Sequence, residues 1–337
     1  MRVILNPVHS KYAHAIYTSM PTVTQVVKST VQPKGGFIPP SLFERIEYHL
    51  KEDPEEEARD TDNLVNNAHA ETISPAMMGV VVDYLCRAQI EMAYTNTKHC
   101  SSTSPSLHII SLGAKQSDQM SEFEDLAEKV TGLDDNSINA MCKMTVWDTK
   151  YRTGADVEPD SIFVDETTCE HIRLLVMRTL NILLSRENYP IKFEPTFNGG
   201  YSEIIRKGDA DYLSPTTLYD LKVSKKDGID SKQTLQLALY FLLGKRAVSR
   251  VGLVMSLKNN PCEQYFASME NIAIINPRHN CLYIMNMHDL PEGTVESITD
   301  TVIYGKRNGI IGYVDPFTDD IPQKKKLKTL FDFEKTN

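Results

Sequence analysis

The stretch from Gly208 to Tyr240 constrains this chain more than any other, because it brings two like charges face to face. It reads Gly208-Asp209-Ala210-Asp211-Tyr212-Leu213, then Ser214-Pro215-Thr216-Thr217, then Leu218-Tyr219-Asp220-Leu221-Lys222-Val223. Short apolar-alternating runs around a Ser-Pro turn signal predict the two strands of a hairpin. With Ser214 to Thr217 as the loop, Leu213 pairs with Leu218 and Asp211 falls opposite Asp220. Like charges directly opposite on paired strands are destabilising, so a fold keeps them when something positive lies between. Lys222 follows Asp220 by two residues and therefore points to the same face. Two carboxylates and one ammonium share a single patch.

A divalent metal answers the repulsion. Asp211 and Asp220 offer hard oxygen ligands to Mg²⁺ or Mn²⁺, and Mg²⁺ keeps several waters and suits substrate phosphates. Such an ion activates water and neutralises charge on a phosphoryl oxygen. Lys222 is then placed to orient or deprotonate the attacking water, or to stabilise a negative transition state. Gln236 and Tyr240, one turn apart on the helix expected next, share a face and would brace a phosphate or Lys222.

In order and setting, Gly208-x-x-Asp211, Asp220-x-Lys222 and Gln236-x-x-x-Tyr240 resemble the RecB-like branch of the PD-(D/E)xK nuclease superfamily. The resemblance covers roughly residues 165–305, and its middle third carries the motif letters. It implies an α/β fold with a restriction-endonuclease-like core, in which a mixed central sheet is flanked by helices. It also implies Asp211 as first metal ligand, Asp220 as second, Lys222 as catalytic lysine, and Gln236 and Tyr240 as an accessory pair. The implied activity is Mg²⁺-dependent phosphodiester hydrolysis, in DNA ahead of RNA. Some members carry a metal-binding His or Glu on the first core helix; Glu170 and His171 are the candidates, against the plainer reading of a first-turn Glu favouring the helix dipole. Two other classes remain open. One is a catalytically silent copy of the fold that binds nucleic acid or protein; the other is a regulatory interaction protein with a chance motif.

With 337 residues, 41% of them hydrophobic and 24% charged, the chain has room for two domains or one large one with a sizeable core. No apolar run approaches the roughly 18–20 residues that span a bilayer, and the start is too weakly apolar for a signal peptide. The six cysteines show no Cys-x-x-Cys spacing; they read as small buried hydrophobes in a reducing, cytoplasmic setting, and nothing points to an iron–sulfur cluster. A net charge of −9 argues against a general coat for nucleic acid. Locally the balance reverses: from Arg206 to Arg250 nine basic residues less five acidic ones leave +4.

Residues 1–160 read as a mainly helical N-terminal region for access, sensing or partner binding, 161–310 as the nuclease-like core, and 311–337 as a polar, basic tail. Within the first, 1–40 is expected to be irregular, 41–51 a helix with Leu42, Ile46 and Leu50 on one stripe, and 52–74 an acidic connector. Helices are expected at 74–93, 119–131 and 135–147, with Trp147 a core anchor, and a short strand at Ile162-Phe163-Val164. In the core, a helix over 166–186, a strand at 191–194, a second hairpin over 272–287 and a helix at 292–305 follow. Asp209 is a possible alternate ligand and Glu194 is open. Glu203 lies eight residues from Asp211, roughly 26 Å of extended strand, too far to share an ion unless the chain bends. The tail's Leu330-Phe331 end faintly resembles peptides that dock on sliding clamps, against a terminal helix packing onto the body. An oligomer is possible.

Overall fold

A computed structural model describes residues 21–155, 157–187, 191–194, 205, 208–251, 265–266 and 268–303. The tail, its Leu330-Phe331 end and Glu203 lie outside those residues. At the centre is an open sheet of six strands: β1 (Glu44–Glu47), β2 (Lys192–Phe193), β3 (Tyr212–Leu213), β4 (Thr217–Leu221), β5 (Asn271–Asn276) and β6 (Cys281–Asn286). They run in the order β1-β6-β5-β4-β3-β2, every neighbouring pair antiparallel except β4 and β5. A parallel pair needs a crossover, and helix α8 (Ser231–Val251) lies in that connection. The chain is therefore an α/β protein with a mixed sheet.

Side-chain alternation splits the core in two. Tyr212, Tyr219, Leu221, Ala273, Ile275 and Leu282 face one layer, made by helices α2 (Pro54–Asn66), α3 (Pro75–Thr95), α4 (His108–Gln116), α5 (Met120–Ala127), α6 (Asp135–Thr153) and α7 (Glu166–Arg186). Leu213, Leu218, Ile272 and Ile274 face the other, made by α8, α1 (Val23–Ser29) and α9 (Thr294–Ile298). Local signals set several helix starts. The Ser74 hydroxyl accepts from Met77 N at 3.2 Å with Pro75 at the first position, and Asp165 accepts from Thr168 N at 2.8 Å. Trp147 is buried, donates to Gln119 Oε1 at 2.9 Å and packs edge-on to Phe123. A Cβ on Gly113 would meet the Trp147 carbonyl oxygen at 1.9 Å, so glycine alone lets α4 close on α6.

Several expectations for the N-terminal region are corrected. Residues 41–51 are no helix: a short 3₁₀ turn over Pro40–Leu42 leads into strand β1, whose backbone pairs with the edge of β6. Ladder bonds offered by that edge override a three-residue apolar stripe. The irregular 1–40 contains α1, opened by a Thr22–Gln25 capping box. The acidic connector is helix α2: Asp53 caps it, Pro54 starts it, and Glu55, Glu56 and Glu57 lie in the first turn, where the helix dipole favours negative charge. Helix α4 was not expected, Ile162-Phe163-Val164 forms no strand, and the last helix is α9 continued by a π turn over Thr299–Ile303, where the described residues end.

The helical layer is joined to the sheet by buried polar bonds as well as by apolar packing. Arg178 on α7 is fully buried. It donates to Glu57 Oε1 at 2.5 Å, Thr61 Oγ1 at 2.9 Å and the carbonyls of Pro277 and Arg278 at 3.2 and 3.1 Å. Glu57 also accepts from Asn280 at 2.9 Å and from the amides of Leu50 and Lys51. Removing one partner of a buried ion pair strands the other, so Arg178→Met should lower stability by about 3–5 kcal/mol in urea denaturation. A loss under about 1 kcal/mol would mean that Glu57 finds water instead.

Candidate active site

Strand register decides the site first. Leu213 pairs with Leu218 and Tyr212 with Tyr219; the ladder ends there, with Asp211 one residue before β3 and Asp220 next to Tyr219 in β4. Both carboxylates belong to the face that carries α8, at the carboxyl end of β4. The backbone amide of Leu221 donates to Asp211 Oδ2 at 2.6 Å, which fixes that side chain across the hairpin. Lys222 Nζ stands 2.5 Å from Asp220 Oδ2. Asp220 is only 4% exposed and Lys222 28%, so the ammonium marks the open side of the pair.

The electrostatics follow from the burial. Loss of solvent, then the Asp220 charge, then that of Asp83 push the Asp211 carboxyl up to about 8, against the pull of Lys222 and Arg87. Lys222 is held above the ordinary lysine value: burial opposes its charge, and Asp220 and Asp211 outweigh it. Tyr240 is raised by burial first and then by Asp220, which places its ring within the field of the pair. Gln236 donates to the Tyr240 hydroxyl at 2.8 Å. Gly208 is explained sterically, since a Cβ there would come within 2.8 Å of the Tyr240 ring and 2.7 Å of Val23 Cγ2. The structure thus gathers Asp211, Asp220, Lys222, Gln236 and Tyr240 at one end of the sheet.

It also adds residues that pattern reading missed. From α3, Asp83 and Arg87 form an i,i+4 ion pair, and Arg87 Nη1 reaches Glu194 Oε2 at 2.9 Å. From α6, Arg152 Nη2 reaches Glu194 Oε1 at 2.5 Å, Nε reaches Asp148 at 2.9 Å, and Nη1 comes within 3.7 Å of Asp209. Tyr84 donates to Asp148 at 2.6 Å, and its ring lies under Arg87. Glu194 is gripped by two arginines in a left-handed backbone conformation at φ +44°, while its amide donates to the Asp211 carbonyl at 3.0 Å. A signal was available: charges four apart inside an otherwise apolar helix must find partners. Glu170 is exposed, and His171 is turned to Glu71 at 3.0 Å, a carboxylate that also takes Arg278 at 2.8 Å. Neither joins the charges that act on Asp211.

Among the described residues Asp83, Asp148 and Glu194 are paired with Arg87 and Arg152, Asp209 lies 3.7 Å from Arg152, and Asp220 is paired with Lys222. Asp211, whose carboxyl is pushed up by burial and then by the Asp220 charge, and Asp220 would, once both are ionised, make a hard-oxygen donor pair that fits Mg²⁺ or Mn²⁺ with water completing the shell. Among the described residues no group of three or more His, Cys, Asp or Glu side chains is arranged to hold an ion, so the protein's own share would be Asp211 and Asp220. The five cysteines among the described residues are buried and unpaired, and no helix there is long and apolar enough to cross a membrane. No family model, curated protein or solved structure matches this chain.

An acid whose native value lies near 8, above the roughly 3.9 of an unfolded aspartate, lends stability that is complete below about pH 4 and is lost as pH rises through about 8. In EDTA, the wild-type melting temperature should therefore fall relative to that of Asp211→Asn between about pH 5 and 9. Parallel melting curves across that window would show that Asp211 ionises as an ordinary aspartate.

Proposed function

We propose that this chain is a divalent-metal-dependent nuclease that hydrolyses phosphodiester bonds, in DNA ahead of RNA, with a restriction-endonuclease-like core of the RecB-like PD-(D/E)xK kind. One observation carries the reading. The Asp211 carboxylate accepts from the Leu221 amide, beside Asp220, at 2.6 Å, and Lys222 Nζ stands 2.5 Å from the Asp220 carboxylate. Ligands of open α/β sheets gather outside the carboxyl ends of the strands, and this patch lies at that end of β4, beside its parallel neighbour β5.

Asp211 and Asp220 would hold Mg²⁺ or Mn²⁺, which when bound supplies an activated water and neutralises phosphoryl charge. The protein's own groups do the remainder. Lys222 stays protonated between two carboxylates, which suits it to stabilise negative charge on a phosphoryl oxygen better than to remove a proton. The Gln236–Tyr240 pair, locked by its own hydrogen bond, presents a fixed polar edge beside Asp220 to orient a phosphate. Lys225, Lys226 and Lys232, exposed on the connection after Lys222, offer positive charge to a polyanion at this end of an otherwise acidic chain.

The test is cleavage of labelled single- and double-stranded DNA, with RNA alongside, in Mg²⁺ or Mn²⁺. Lys222→Ala should lower the rate by about 10²- to 10⁴-fold. In a parallel thermal-shift series, Mg²⁺ should stabilise the wild type by RT ln(1 + [L]/Kd), and Asp220→Ala should abolish that gain. Metal stabilisation with no cleavage of any polymer would favour the silent binding module. Absence of both would sink the metal site itself.

A further inference from the structure

The connection from Lys222 to α8 holds a second cluster of charge that the hydrolytic site does not use. Lys225 and Lys226 are exposed, and Lys232 is exposed in the first turn of α8. Exposed lysines are ordinarily mobile, but the main chain beneath these two is tied down. His279 Nε2 lies 2.9 Å from the Lys225 carbonyl, Asn276 Nδ2 donates to the Lys226 carbonyl at 3.2 Å, and Gly228 N donates to the Tyr283 hydroxyl at 2.9 Å. All three anchors come from β5, β6 and the turn between them, a largely buried part of the sheet.

The acidic residues of the same loop, Asp227 and Asp230, are exposed as well, but each has partners of its own. Asp227 accepts from the Tyr283 hydroxyl at 2.8 Å and lies 3.6 Å from Arg45 Nε. Asp230 accepts from the amides of Lys232 and Gln233 at 2.9 and 3.0 Å, so its charge is taken up by the N-terminus of α8. Among the described residues the exposed ammonium groups of Lys225, Lys226 and Lys232 are left without a carboxylate partner, Asp227 going to Arg45 and Asp230 to the helix N-terminus. Three residues of chain, at about 3.5 Å each, limit Lys225 to about 10 Å from Lys222, so the cluster lies beside the candidate active site.

We propose that the loop Ser224–Asp230 is a pre-formed docking surface for the phosphate backbone of a polynucleotide, gripping phosphates next to the one presented to Asp211 and Asp220. The proposal rests on the nuclease reading for its substrate and deepens it. The protein engages a strand that continues past the reacting phosphate, through contacts to phosphate oxygens that carry no sequence preference. Anchoring the loop from the sheet lowers the ordering cost of binding, which explains why the sheet spends an arginine, a histidine, an asparagine and a tyrosine on one surface connection.

The experiment is fluorescence anisotropy of a labelled oligonucleotide with the full chain, in EDTA to prevent cleavage, across a salt series. Lys225→Glu with Lys226→Glu should weaken binding for unrelated sequences alike, and should flatten the slope of log Kd against log salt by about 1.4–1.8, two phosphate contacts' worth. Lys115→Glu with Lys129→Glu makes the same change in net charge at exposed positions on α4 and just past α5, and should leave that slope in place. Equal effects from both pairs, no effect from either, or no binding by the wild type would overturn the docking surface. Failure of the nuclease reading is separate, because it shows as loss of Mg²⁺ stabilisation and cleavage in the wild type while the salt slopes still decide the loop.

Discussion

Mutual repulsion of two largely buried carboxylates is the constraint on which this end of the molecule depends. Asp211, one residue before β3, and Asp220 in β4 act on each other's charge, and removal of water magnifies their conflict. Each nearby feature lowers that conflict. Lys222 lies against Asp220, the Leu221 amide reaches back to Asp211, and Gly208 leaves room for the Tyr240 ring to close the patch. A solvated hairpin would need none of these. That is the physical ground for treating the patch as a site.

The helical layer is part of the same electrostatic system. Arg87 and Arg152 come from α3 and α6, pinch Glu194 between them, and stand next to Asp83 and Asp209. Glu194 keeps a left-handed backbone that a non-glycine residue seldom adopts, and such strain persists only where the surroundings over-determine it. Two ion pairs and a backbone bond to Asp211 supply that determination. Any movement of α3 or α6 is therefore felt one residue pair from Asp211.

At the far end of the layer the same device appears in structural form. Arg178 and Arg278 are both fully buried, and they tie α2, α7 and the β5–β6 turn together through Glu57 and Glu71, with His171 completing the second group. The first core helix thus spends its histidine on holding the turn. That turn also carries Asn276 and His279, which pin the lysine loop. Packing that fixes the fold and packing that presents charge share one set of residues.

By itself the sequence determined the hairpin register, the parts of the central patch and the strongest helices. Each is written in local chemistry: a Ser-Pro turn with period-two alternation, like charges nine residues apart, Ser74-Pro75 and Asp165 as helix starts. It left β1, α2 and the partners of Glu194 unread. Strand β1 forms because the edge of β6 needs a backbone partner, a demand arising 234 to 240 residues further along the chain. Asp53-Pro54-Glu55 reads equally well as a solvated run until Arg178 gives Glu57 a buried counter-charge. Only the tertiary structure decides which of these carboxylates and cations meet, because pairing depends on distances between elements that no spacing along the chain records.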